Sequence, residues 1–148
     1  IAFARSVAGM ADANSGEFDP QSTHKVIDFL PDQNEEVAKG GTLRLGAYPC
    51  KVVPGTQMYR CYGKTDISER HRHRYEFNND FRARLIDAGL VVSGTSPDDY
   101  IVETVEVPGN DFYIGVQFHP EFKSRPNRAH PLFLGLVGAA LRHEEKNK

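Results

Sequence analysis

His119 and Glu121 stand two positions apart at the end of "GVQFHPEF", Gly115 to Phe122. In an extended backbone, side chains two apart leave the same face, and Pro120 biases the residue before it toward that geometry. The two side chains can therefore touch. A carboxylate on one imidazole nitrogen fixes the tautomer and raises the basicity of the other, as a general base beside a nucleophile requires. An ordinary exposed ion pair at a strand end has the same spacing. The flank favours chemistry, because the histidine leaves a strongly apolar strand at its carboxyl end, where open α/β sheets place their sites.

A second constellation is "ERHRHRYE", Glu69 to Glu76. In an extended chain Arg70, Arg72 and Arg74 share one face, and His71 and His73 the other. A guanidinium there can grip a carboxylate through two parallel hydrogen bonds. A solvated edge strand, balanced by Glu69 and Glu76, is the plainer alternative. His71 and His73 have no third ligand at useful spacing, so no metal site is assigned. Glu17, in the loop "NSGEF", is a carboxylate that can meet a substrate ammonium group. No nucleophile accompanies these residues: Cys50 and Cys61 lack the glycine-flanked elbow between strand and helix, no G-x-S-x-G is present, and both cysteines read as structural.

The elements that must position these groups follow from patterning. "IAFARSVAGM" has helical spacing, with Ile1, Ala4, Val7 and Ala8 on one face and no capping residue ahead of it. A strand or turn feeding this helix is expected upstream, and the chain reads as a fragment. "ADANSGEFDP" reads as a loop, "HKVIDFL" as a short helix or strand, and "PDQNEEVAKGG" as a surface loop. "TLRLGAYPCKVV" and "QMYRCYG" read as a strand hairpin, with Leu43 and Leu45 inward and Thr42 and Arg44 outward. A helix is expected from about Asn79 to Ala88, burying Phe81, Leu85 and Ala88, with Gly89 at its C-terminal cap. Three strands follow in "LVVSGTS", "IVETVEVP" and "FYIGVQF", with a turn at Ser96 to Asp99. The last helix, Pro131 to about His143, is expected to bury Leu132, Phe133, Leu136, Val137 and Ala140.

Alternating strands and helices imply an α/β layer architecture. With 148 residues, 39% hydrophobic and 26% charged, the chain can form one globular domain or a large piece of one. A net charge of -2 argues against broad nucleic-acid binding, which relies on neutralising many phosphates. No apolar run approaches a membrane span. Two cysteines without a disulfide framework fit a reducing, cytoplasmic compartment.

Taken in order, "GGTLRLG", "ERHRHRYEFNN" and "GVQFHPEFKSRPNRAHPLF" resemble the C-terminal glutaminase domain of the CTP synthase family, a class I (triad) glutamine amidotransferase. "HPE" alone points only to the superfamily; the arginine–histidine run and "GGTLRLG" are more specific, and the likeness runs from Ile1 to about Arg142. It implies part of a flavodoxin-like domain, with a central mixed sheet flanked by helices. It also implies His119 and Glu121 as two members of the triad, and Glu17 and Arg74 at the amino and carboxylate ends of L-glutamine. The cysteine on its elbow and the oxyanion loop would lie just upstream of Ile1. An amidoligase domain, binding ATP, magnesium and UTP, would lie further away. The loop Pro31 to Lys39 resembles a lid linked to the activator GTP, and a homotetramer is expected. The fragment alone is expected to be inactive. GMP synthase and γ-glutamyl hydrolase share "HPE" without the other stretches, and a noncatalytic interaction module is the alternative from a different class.

Overall fold

The computed structural model describes residues 1–29 and 44–148. Helix α1 is Ala2–Ser6, strand β1 Asn14–Ser15 and strand β2 Lys25–Asp28. Strand β3 is Arg44–Val52, helix α2 Gln57–Tyr62, strand β4 Asp66–His73 and strand β5 Glu76–Phe77. A 3-10 turn, Asn79–Phe81, leads into α3, Arg82–Asp87. Strands β6 (Val91–Thr95), β7 (Val102–Glu106) and β8 (Ile114–Val116) come next, and a second 3-10 turn, Pro120–Phe122, precedes α4, Pro131–Lys146. Among the described residues no helix is long and apolar enough to cross a membrane.

The expected α/β class holds. Five strands form one antiparallel sheet in the order β4-β3-β6-β7-β8, while β1, β2 and β5 form a small mixed sheet in which β1 runs parallel to β2. One face of the large sheet meets the small sheet, α1 and α3 through Ala4, Met10, Val26, Phe77, Leu85, Leu90 and Val102. The other packs on α2 and α4 through Cys50, Val52, Met58, Ile67, Phe118 and Leu132. β4 and β8 are the two edges of the large sheet, and the segment after β8 comes back to β4, where the His119 N–H meets the Arg70 carbonyl.

Several expectations are corrected. "QMYRCY" is a helix, not a strand: the Thr56 side chain accepts from the Tyr59 N–H, and Gly63 ends the helix at φ 67°. The partner of β3 is β4, with Arg44 opposite His73 and Gly46 opposite His71. The alternation along β3 is real but inverted, since Arg44 is buried and Leu45 is 66% exposed. The interior at that point is ionic, and two buried glutamates take the guanidinium. Thr42, Leu43 and the loop Pro31 to Lys39 lie outside the described residues. In α1 only Ala4 is buried within the helix, because the chain leaves helical geometry at Val7 and turns at Gly9, leaving Ile1 and Val7 exposed. In α4 the buried side is Leu132 and Ala139, with Gly135 against Cys61 and Phe112, while Phe133, Leu136, Val137 and Ala140 are exposed. Small residues let this helix approach α2 closely, so the bulky apolar stripe faces outward.

Candidate active site

His119 follows β8 in an extended conformation, and its N–H donates to the Arg70 carbonyl at 2.8 Å, tying it to β4. The next three residues do not continue as strand. The Pro120–Phe122 turn folds Glu121 back, and its Oε1 lies 2.9 Å from His119 Nδ1. The pair thus forms as expected, through a turn. A hydrogen bond from Glu121's own N–H, then the contact with His119, holds its carboxyl below the usual range. A carboxylate only accepts, so Nδ1 donates, and in the neutral ring Nε2 then presents a lone pair. The ring stacks on Phe122 at 5.2 Å, which limits its rotation.

His119 opens onto a cavity of about 630 Å³ that Glu17 and Arg74 also line. Three candidate residues from three distant stretches therefore meet at one cavity, with Glu121 behind the histidine. Glu17 arrives on the loop after β1: the Gly16 N–H donates to the Ile27 carbonyl at 2.9 Å, and the Glu17 N–H to Ser15 Oγ at 3.2 Å. Arg74 follows the last residue of β4. Along that strand His71 is buried while Arg70 and Arg72 are exposed, as the alternation predicts. A carboxylate, a guanidinium and an imidazole base around one cavity can bind the two charged ends of an amino acid and move a proton at its side chain.

Neither cysteine lines this cavity. Cys50 is buried, and burial together with Glu103 and Glu69 pushes its thiol up to about 12; burial also raises Cys61. Both are protonated, unreactive thiols.

Sequence reasoning missed a buried cluster beneath the cavity. Arg44 Nη2 donates to Glu103 Oε1 at 2.6 Å, and Arg44 Nη1 lies 3.5 Å from Glu76 Oε1. Gln117, two residues before His119, donates to Glu76 Oε2 at 3.1 Å. His73, Tyr75, Ser15 and Phe18 join the cavity wall as well. The available signal was an acid, Glu103, in the middle of the β-branched run "IVETV".

Residues 2–139 match the family model described as "Glutamine amidotransferase class-I". The chain is 57% identical over 145 residues to the CTP synthase of Pelotomaculum thermopropionicum, covering 98% of this chain and 27% of that protein. It is 58% identical over 142 residues to the CTP synthase of Carboxydothermus hydrogenoformans, covering 96% of this chain and 26% of that protein. The chain thus spans about a quarter of the curated relatives it matches. Among solved structures it resembles "Trypanosoma brucei CTPS - glutaminase domain with bound acivicin", with a TM-score of 0.87 and 38% identity over 96% of this chain and 55% of that one.

Proposed function

The chain belongs to the class-I glutamine amidotransferase family, and on that premise we propose that it is the glutaminase part of a CTP synthase, releasing ammonia from L-glutamine with His119 as proton carrier. The observation that carries this reading is the meeting of Glu17, Arg74 and His119 at one cavity. Glu17 takes the α-ammonium of glutamine and Arg74 its α-carboxylate, which leaves the side-chain amide toward the imidazole.

The chemistry follows from the tautomer. His119 Nε2 removes the proton from a cysteine thiol, and the thiolate attacks the amide carbon of glutamine. The tetrahedral adduct collapses as the imidazolium returns that proton to the departing nitrogen, leaving ammonia and a glutamyl thioester. Water then attacks the thioester, His119 takes the proton from water and returns it to the thiolate, and glutamate leaves. Glu121 holds the ring in place and stabilises its positive charge throughout. Cys50 and Cys61 do not line the cavity, so neither is the reacting thiol of this reading.

Identity to CTP synthases extends the proposal to the whole enzyme: ammonia passes to an amidoligase domain and displaces phosphate from UTP activated by ATP with magnesium, giving CTP in the cytoplasm. GTP as activator and a homotetrameric assembly belong to the same reading. Among the described residues no three His, Cys, Asp or Glu side chains are grouped to hold a metal ion, and magnesium here belongs to the amidoligase domain.

Ammonia release from glutamine by the full-length protein tests the reading. His119→Ala lowers turnover by roughly 10²- to 10⁴-fold. Arg74→Lys, which loses the two-pronged grip, raises KM more than it lowers kcat. The isolated 148-residue chain releases no ammonia. Full turnover by the His119→Ala protein, or turnover by the isolated chain, defeats the assignment.

A further inference from the structure

The buried cluster beneath the cavity is short of one hydrogen. His73 Nδ1 lies 3.1 Å from the Tyr75 carbonyl oxygen, which can only accept, so Nδ1 carries the proton and a neutral His73 has a bare Nε2. That nitrogen is 2.7 Å from His71 Nδ1, which must then be the donor. A neutral His71 donating from Nδ1 has a bare Nε2, and this atom faces Glu103 Oε2 at 3.6 Å. Both atoms are buried and, among the described residues, have no hydrogen-bond partner. With Glu103 ionised, two lone pairs would confront each other away from water, an arrangement that costs free energy on both sides.

Charge leads to the same conclusion independently. Arg44 is the cation that pairs with both Glu76 and Glu103, whose side chains are 1% and 0% exposed. Two buried carboxylates on one guanidinium leave a net negative charge, and one proton removes it. Among the described residues the surrounding groups are Arg44, Tyr48 and the Cys50 thiol from β3, His71 and His73 from β4, Glu76 from β5, Glu103 from β7, and Gln117, Phe118 and His119 after β8. Burial raises both carboxyls, Glu76 to about 7, and lowers His71 to about 3. The carboxyls titrate as a pair, and hydrogen bonding decides which keeps the proton. Both Glu76 oxygens already face donors, in Arg44, His73 and Gln117. Glu103 Oε2 faces an acceptor.

We infer that Glu103 is held as the neutral acid, donating from Oε2 to His71 Nε2, and that the chain Glu103–His71–His73–Tyr75 positions the Arg74 side of the cavity. This rests on the glutamine reading for its consequence, not for its chemistry. Arg74 lies between His73 and Tyr75, all three line the cavity, and the chain of hydrogen bonds fixes the residues on both sides of it. When the proton leaves at high pH, Glu103 and His71 repel, the chain loosens, and the grip on the substrate carboxylate weakens. His71 and Glu103 are positioning residues, acting through His73.

Infrared difference spectra and steady-state kinetics of the full-length protein test the inference together. Glu103→Gln keeps an acceptor for Arg44 and supplies a permanent N–H for His71. The wild-type protein shows a buried carboxylic-acid C=O band that Glu103→Gln removes and Glu76→Gln leaves. Its KM for glutamine rises on the alkaline side, roughly tenfold for a misplaced binding group, and Glu103→Gln flattens that rise. His71→Phe keeps the aromatic packing but breaks the chain, and raises KM at all pH values with a smaller change in kcat. Loss of the band in Glu76→Gln instead, or identical KM–pH profiles for wild type and Glu103→Gln, overturns the inference. The band decides even where a variant turns nothing over, so failure of the glutamine reading is seen separately, as absence of ammonia release by the wild type.

Discussion

Asp12 closes the loop that carries Glu17. Its carboxylate accepts from the Thr23 N–H at 3.0 Å and the Thr23 hydroxyl at 2.7 Å, and its side chain also meets His24 Nδ1. Those contacts, Thr23 first and His24 next, hold the Asp12 carboxyl well below the usual carboxylate range. The folded state therefore binds this proton less tightly than the unfolded chain does. Its stabilising contribution is complete above the ordinary carboxylate pKa and is lost as pH falls through the depressed one. Asp12→Asn is expected to lower Tm at neutral pH and to match the wild type in strong acid, by calorimetry across that range. An equal deficit at every pH would show that shape, not charge, is what Asp12 supplies. At this scale His119 and Glu121 were legible from their types and spacing, whereas Glu17 and Arg74 were singled out by the family resemblance, since a lone loop acid and one arginine among three carry little signal of their own. Arg44 and Glu103 were not legible, because a charge in an alternating strand reads as outward-facing until its partner, dozens of residues away, is seen.

Helix α2 shows what local signals can and cannot settle. "QMYRCYG" carries tyrosines and a cysteine, residue types that favour strands, yet β propensity is a weak, context-dependent preference. Thr56 ahead of the segment and Gly63 behind it form the two ends of a helix, and both were in the sequence. Thr56→Ala is expected to cost about 1 kcal/mol and Thr56→Ser much less, measured by urea unfolding; equal stability of the two variants would remove the cap from the account. Strand β6 is fixed by space. A Cβ on Gly94 would come within 2.7 Å of Thr104 Oγ1 and 2.9 Å of Cys50 Sγ, between β3 and β7. Gly94→Ala should lose roughly 1–3 kcal/mol in the same unfolding experiment. The strand order and the two core layers were out of reach of patterning, since β3 pairs with β4 across an intervening helix and with β6 on its other edge.

The molecule as a whole has an apolar outer stripe on α4. Leu134, Leu136, Val137 and Leu141 are 61%, 52%, 58% and 56% exposed, and Phe133 is 40% exposed beside them. Helical periodicity marked Leu136 and Val137 for burial, but the helix is seated through Leu132, Gly135 and Ala139 instead, which leaves both exposed. Contiguous apolar surface of this kind is a site of association, because joining two such stripes removes both from water. The isolated 148-residue chain is therefore expected to self-associate, with a sedimentation coefficient that rises with concentration. Leu136→Lys combined with Val137→Glu abolishes the rise. At exposed helix positions these changes shift folding stability by only about 0.5 kcal/mol each, so loss of association would not be loss of fold, and circular dichroism of the double variant checks this. A wild-type chain that sediments as a monomer at every concentration would mean that the stripe is too narrow or too interrupted to pair with itself, and that its exposed leucines are individually solvated.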